Sequence, residues 1–467
     1  MQLHLGIDIA CRAPHQASLA DEQGRFVWSG RRFRTNVGDL KRLWAGLPEG
    51  TDAGDLTVIM EPTRNAWVPL AAWFRRQGAR VVLVPPERSA DLRAYYAKHT
   101  KTDRIDSRLL ARLPLLHPEG LHEERGLGPG DALRRATRLH QTLTKRRSQC
   151  LARLDALLEI LGPSWLGVFE SDLSNKTPLR FLAAGYASPH TVKRLGRARL
   201  TRFFSRHSRG RWGEPHAEAL LGAAAETLEL WADDLDFDEL AEDIAIEARL
   251  ALRLGEELKD LDERIAIFLA QADPQGIMTS VPGVGAILGA QILGRLGDPH
   301  RFRTLAGVRS FSGLVPSLDA SGTSGRHGGP TKRGDACLRE AIYLAAEQAR
   351  RTDPTLAARY HRLMVEAGKH HNSALCNVAS TLLTRIVACW RSGQHYVIRD
   401  LDGIAVDAAQ GRRIVQERYT VPSELRATRR AGGSREGGEG TDRRSQGSRR
   451  APSTGPSPVH AKTPIGA

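Results

Sequence analysis

The sequence predicts an α/β domain at the N-terminus, a long helical middle region and a mainly α C-terminal domain, followed by a tail that cannot build a core. Three observations lead there. Over the first 113 or so residues, short strand-like runs alternate with helical ones. Two stretches, of about 131–161 and 234–272, keep a helical apolar period far longer than an ordinary globular helix. From about Arg426 onward, Gly, Ser, Arg and Pro replace the apolar residues a fold needs. The expected parts are residues 1–118, 119–274, 275–400 and a disordered segment over 424–467.

Taken in order, LHLGIDIA reads as a buried strand. HQASLADEQGRFVWSGRRFR adds two more strands, with DEQG as the turn between them. NVGDLKRLWAGL is an amphipathic helix, DLTVIME a buried strand, and WVPLAAWFRRQ a helix stopped by Gly78. ARVVLVPP is a further strand ended by prolines. Helices through Ala90–Ala97 and from KTDRIDS complete the region. The order β-β-β-α-β-α-β-α, with acids at strand ends, is that of a ribonuclease-H-like fold. In the middle, the two long helical stretches predict an antiparallel coiled coil, either a plain linker or an arm. Between them lies a basic segment containing RARLTRFFSRHSRGRW. VPGVG followed by AILGAQILGRLG predicts a helix-hairpin-helix-like element, in which glycines let phosphates approach a helix N-terminus. A Gly/Ser-rich loop and two helices, at about 336–349 and 373–390, follow.

Charge narrows the function. The chain carries 68 Lys and Arg against 53 Asp and Glu, a net +15, with a pI near 10.0. Such a balance favours a polyanionic partner, most simply nucleic acid. The five cysteines, Cys11, Cys150, Cys337, Cys376 and Cys389, are scattered without a CxxC pair. Neither a zinc knuckle nor a disulfide framework is indicated. MQLHLGIDIA runs straight into a strand without signal-peptide character, and no uninterrupted apolar run approaches the roughly 18 residues of a membrane span. A cytoplasmic or nucleoid-associated protein is expected.

Four carboxylates carry the chemistry. Asp8 sits inside a buried strand, where a polar residue must be satisfied or functional. Glu61 ends DLTVIME, just ahead of Pro62. Asp103 and Asp106 lie three apart at a helix start, which a plain helix cap would also explain. If the two strands are neighbours, the four acids converge. Mg²⁺ or Mn²⁺ would then relieve their repulsion, because hard cations take oxygen ligands. Two such ions stabilise both the attacking and leaving oxygens at a phosphodiester. Lys98, Lys101 and Arg104 lie where substrate phosphates would be held. Sugar-kinase and actin-like ATPases open on a similar strand but need a second phosphate loop, and none is present. No GxxxxGK[ST] exists either.

The segment PSLDASGTSGRHGGPTKRGD sets serines among glycines beside Arg326, Lys332 and Arg333. A serine in a glycine loop is usually only a loop residue. Here small neighbours give a phosphate backbone access, and the cations can stabilise charge on a pentacoordinate phosphorus. Ser321 is the first candidate nucleophile, Ser324 the second and Ser317 the third. No His/Asp dyad stands nearby for a hydrolase triad, and His327 has no assigned part.

GIDIA, IMEPT and above all KTDRIDSRLLARL resemble the DEDD domain of the insertion sequence 110 family of transposases. The stretch from SVPGVGAILGAQILGRLG through TKRGDACLREAIYLAA resembles that family's C-terminal domain, and YHRLMVEAGKHHNSALCNVASTLLTRIV its closing helices. The resemblance covers roughly 3–113 and 277–398. Ser107 departs from it where alanine is common, the middle region is longer, and the Arg/Gly tail is an extension. The resemblance implies a RuvC-like metal site at Asp8, Glu61, Asp103 and Asp106, with Ser321 as nucleophile. It also implies a structured guide (bridge) RNA encoded by the element. Family members act as multimers, dimers or tetramers, whose acids and serine come from different subunits. Two other classes remain open: a junction endonuclease that attacks with activated water and needs no serine, and a non-catalytic nucleic-acid-binding protein.

Overall fold

The computed structural model describes residues 1–431, except 86–88, 90–101, 119–120, 125, 127, 170–172, 233 and 322–323. The chain divides into two compact units, Met1–Ala272 and Asp273–Ala467.

The first unit opens with β1 (Leu3–Asp8), β2 (His15–Asp21) and β3 (Phe26–Phe33), an antiparallel meander. α1 (Val37–Ala45) follows, started by the Asn36 side chain, which accepts from the Asp39 N–H at 2.8 Å. β4 (Leu56–Met60) returns parallel to β1, and after α2 (Trp67–Arg76), β5 (Arg80–Leu83) lies parallel to β4. The sheet order is β3-β2-β1-β4-β5-β6, with β6 (His122–Glu123) antiparallel on β5. This short edge strand has no signal in the sequence. The helix expected at Ala90–Ala97 lies outside the described residues.

Period-two alternation divides the sheet faces. Leu3, Leu5 and Ile7 of β1, with Val58 and Met60 of β4, join Leu40, Leu43, Leu70 and Phe74 of α1 and α2 in one core. The intervening residues face α3 (Asp103–Leu116), whose Leu110 and Leu113 pack on Ile59 and Val84.

Two long helices make up the middle, α4 (Pro129–Leu161) and α9 (Phe237–Ala272). They run antiparallel: Arg153 bonds Glu247, Arg147 bonds the carbonyl of Ala251, and His140 meets Asp262, so that numbers rise along one as they fall along the other. The described residues between them form four helices, α5 (Pro163–Val168), α6 (Lys176–Ala183), α7 (Pro189–Ser208) and α8 (Glu214–Trp231). They close around Trp165, Phe169, Phe181, Phe204 and Trp212, in a core continuous with the adjoining ends of α4 and α9.

The second unit departs from the helix-hairpin-helix expectation. Asp273 accepts from the N–H groups of Ile277 (2.9 Å) and Met278 (2.7 Å), which ends α9 in a series of turns. No helix therefore leads directly into VPGVG. α10 (Ala286–Leu296) follows it. Gly283 has φ +77°, and a Cβ there would stand 2.3 Å from Gln348 Cβ. Its small size lets it pack against another helix, α12 (Ala336–Ala349). α11 (Leu305–Ser312) precedes a hairpin, β7 (Pro316–Ser321) and β8 (Ser324–Pro330), where an irregular loop was expected. α13 (Pro354–His361) continues into a π turn over Arg362–Glu366.

α14 (His371–Ser392) is the central helix of this unit, burying Leu375, Val378, Leu382, Leu383, Ile386 and Val387. By length and composition alone it is the one helix among the described residues that would pass as a membrane span. Those buried side chains give it the character of a core helix. α15 (Ala408–Arg418) and α16 (Ser423–Ala431) complete the described chain. Most of α16 falls within the segment expected, from residue 424, to be disordered. SELRATRRA is rich in helix formers, and its start follows the buried Val421. Residues beyond 431 lie outside the described ones.

Candidate active site

Parallel pairing sets the first two acids. The β1–β4 register ends at Ile7 opposite Met60. Asp8 and Glu61 each come one residue further, at the C-terminal ends of adjacent strands. Alternation turns Glu61 to the face of Ile59, and Asp8 to the face of Gly6, which is the face α3 covers.

Gly6 brings the third acid in. A Cβ there would stand 2.2 Å from the Ser107 carbonyl oxygen and 2.3 Å from the Ala111 nitrogen. The α3 backbone can lie against β1 only because residue 6 has no side chain. A buried hydrogen bond of 2.8 Å between the hydroxyls of Ser107 and Ser18 fixes the helix to β2. Ser18 also donates to the Ser29 hydroxyl of β3 at 3.3 Å. The helix begins where the Thr102 hydroxyl accepts from the Ile105 N–H, so Asp103 and Asp106 both fall in its first turn. The dipole there favours their charge.

One pocket results, lined by Asp8, Glu61, Ser89, Asp106, Leu109, Leu110 and Leu113. Asp106 is only 9% exposed, and Asp8 and Glu61 are half-buried. Glu61 Oε2 accepts a 2.5 Å hydrogen bond from the Ser89 hydroxyl. Asp103 is exposed and is not among the lining residues. Three residues advance a helix by about 300°, which leaves the two carboxylates some 60° apart. Against a sheet, that is enough to separate an inward side chain from an outward one.

The donor set suits a hard divalent cation in kind, since it is all oxygen and mostly carboxylate. Among the described residues, no three His, Cys, Asp or Glu side chains close into a coordination shell. An ion that keeps part of its water shell would bind these acids without such closure.

Arg104 is exposed and lies across β3, donating to the Ser29 hydroxyl at 3.4 Å. Lys98 and Lys101 lie outside the described residues. In the second unit, Ser321 and Ser324 face each other as the last pair of the β7–β8 ribbon. Backbone register also places Arg326 on β8, opposite Asp319. Lys332 and Arg333 are exposed just beyond β8, and Lys332 holds a left-handed φ of +55°. Arg339 closes the ribbon's base, donating to the carbonyls of Ser312 (3.1 Å) and Lys332 (3.3 Å). Burial pushes the Cys376 thiol up, and the Arg339 and Lys332 charges oppose that, so the base carries a positive field.

Sequence reasoning missed Gly6, Ser18, Ser89 and Arg339. A glycine breaking the apolar run LHLGIDIA was the available signal for the first of them.

Residues 5–163 match the family model for the IS110 DEDD transposase, and residues 275–361 that of the Transposase IS116/IS110/IS902 family. An uncharacterized 42 kDa protein of insertion element IS900 from Mycobacterium paratuberculosis is 25% identical over 397 residues, covering 84% of this chain and 96% of the relative. The 43.6 kDa protein of insertion element IS110 from Streptomyces coelicolor is 26% identical over 361 residues, 76% and 86% of the two chains. A transposase of element IS1111A from Coxiella burnetii is 32% identical over 96 residues, 20% of this chain and 26% of that one.

Proposed function

This chain belongs to the IS110/IS116 family of insertion-element transposases and is a DNA transposase; from that premise we propose that it cuts and exchanges DNA strands through a serine nucleophile, at a divalent-metal site. The observation that supports this best is the convergence of Asp8, Glu61 and Asp106 from two strands and a helix into one pocket.

In the proposed reaction the Ser321 hydroxyl attacks a phosphodiester. A bond forms from Ser321 Oγ to phosphorus while the bond from phosphorus to the leaving deoxyribose oxygen breaks. The proton lost from Oγ is matched by one taken up at the leaving oxygen. The DNA stays joined to the protein until a second strand end attacks and releases the serine. Asp8, Glu61 and Asp106 would hold Mg²⁺ or Mn²⁺, with Asp103 one turn earlier on α3. When bound, such ions neutralise phosphate charge and stabilise the entering and leaving oxygens. Arg326, Lys332 and Arg333 would hold phosphate near the serine, as Lys98, Lys101 and Arg104 would near the acids.

A structured guide RNA and a multimer extend the same proposal. Both rest on the family resemblance, and the net charge of +15 suits the RNA.

Trapping tests the serine. A nicked suicide duplex should leave a covalent adduct on Ser321 that Ser321→Ala abolishes. An adduct that persists in that variant moves the assignment to Ser324. Cutting that survives both serine changes, but not Asp8→Asn, makes the protein a water-using junction nuclease instead.

A further inference from the structure

We propose that the outer face of α7 is a docking surface for the phosphate backbone of duplex DNA, separate from the acid pocket. It lies between the two family-matched stretches, in residues that neither match covers. From Pro189 to Gly213 the chain carries eight Lys and Arg and no Asp or Glu.

The helix orders those charges. It kinks at Gly196, where φ is +69°. Beyond the kink, Leu200, Phe204 and Ser208 are buried, with Phe204 set among Phe181, Phe203 and Trp212. Arg199, Arg202 and Arg206 recur at i, i+3 and i+7 on the opposite side and are exposed. Arg209 extends the row at the helix C-cap. Successive members stand about 5–6 Å apart.

Charge compensation is absent here and present next door. Arg197 bonds Glu218 and reaches Glu214, whereas no carboxylate pairs with Arg199, Arg202, Arg206 or Arg209 among the described residues. Like charges three and four residues apart on one helix repel. The helix dipole offsets this in the last turn, for Arg206 and Arg209. It does nothing for Arg199 and Arg202, which stand further back. A sequence that keeps this repulsion suits a polyanion that removes it.

The field registers on a neighbour. His207 is held below its ordinary pKa, by burial first and then by the Arg180 and Arg206 charges. Arg180, on α6, lies 3.3 Å from the His207 ring and widens the positive face.

Single strands are recognised largely by bases stacking on exposed aromatics. In this bundle Trp165, Phe169, Phe181, Phe204 and Trp212 are buried in the core, and Tyr186, Phe203 and Trp231 pack against it partly buried. That favours a duplex, read by its phosphates. The choice of DNA over RNA rests on the family's action on DNA.

Full-length protein is titrated onto a labelled DNA duplex of arbitrary sequence over a range of salt concentrations. Each neutralised phosphate contributes about 0.9 to the slope of log K against log salt. The variant R199Q/R202Q/R206Q/R209Q should flatten the slope by about 3–4 and weaken binding tenfold or more. The matching Arg→Lys variant should keep the wild-type slope. If the fourfold variant does not fold, R202Q/R206Q should flatten the slope by about half as much. An unchanged slope in a folded variant overturns the proposal. So does a slope that falls on duplex RNA and stays fixed on DNA. The Ser321 adduct is measured separately, so failure of the catalytic reading and failure of this surface remain distinguishable.

Discussion

Gly6→Ala is the sharpest test of how the acids are brought together. The added methyl group would meet the Ser107 carbonyl and the Ala111 nitrogen, which are backbone and cannot rotate away. Overpacking of this kind costs about 1–3 kcal/mol, and here it pushes α3 off the sheet. Thermal unfolding should show the loss. Strand cutting should fall further than stability does, because Asp106 leaves the pocket; a stable variant that still cuts at the wild-type rate would count against it. Ser107→Ala is the milder companion. It removes the Ser18 hydroxyl bond and should cost about 1 kcal/mol, with the acids still in place.

A pH test follows from two histidines of the same domain. Burial holds both His4 and His15 below their ordinary pKa. His15 Nδ1 accepts from the Ala10 N–H at 3.2 Å, so its neutral ring directs the Nε2 proton to the Thr35 hydroxyl at 2.7 Å. The unfolded chain takes up protons near pH 6.5, before the folded one does. Their contribution is therefore complete above about pH 6.5 and is lost as pH falls below it. Denaturant midpoints at about pH 7.5 and 5.5 should differ, and His15→Gln should narrow the gap; equal midpoints in the wild type would refute this. Asp8, Glu61 and Asp106 were legible as acids at strand ends and a helix start. That Asp103 faces outward was not, because a 60° difference acquires meaning only once the sheet is there.

Among elements, the junction of α13 and α14 offers the clearest energetic case. Asp353 is fully buried and caps α13, accepting from the N–H groups of Thr355 (2.9 Å) and Leu356 (3.0 Å). It also accepts from the Tyr396 hydroxyl at 2.6 Å and from Arg385 of α14 at 3.3 Å. Burial and this carboxylate both push the Tyr396 phenol up, so it stays protonated as a donor. Asp353→Ala leaves those donors unanswered and should cost about 3 kcal/mol, against about 1 for Tyr396→Phe. Chemical denaturation separates the two, and equal effects would show that the tyrosine carries the junction. Most elements were legible from period and caps: the meander, β4, β5, α1, α2 and both long helices. The hairpin was not, because glycine and serine have poor strand propensity and only cross-strand pairing makes a ribbon of them. The bundle over 163–231 was obscured by its arginines, which mask an aromatic core spaced irregularly along the chain.

For the molecule as a whole, acids and serine lie in different compact units. The resemblance assigns them to different subunits during the reaction. Asp8→Asn and Ser321→Ala should each be inactive alone. Mixed and allowed to exchange subunits, they should regain part of the wild-type adduct, since one subunit supplies intact acids and the other an intact serine. No recovery in a mixture shown to contain hybrid oligomers would mean that one chain provides both. Composition suggested separate parts over 1–118 and 119–274, whereas the structure holds both in one compact unit, Met1–Ala272.

The close contact of α3 with Gly6 bears on what incomplete copies of the protein can do. β1, β4 and the larger of the two sheet cores are encoded before residue 84, whereas Asp106 comes later. A product terminated in that interval would hold most of the sheet and two acids, without the third or the helix that shields it. If the acids hold a metal ion as proposed, such a fragment could not cut DNA.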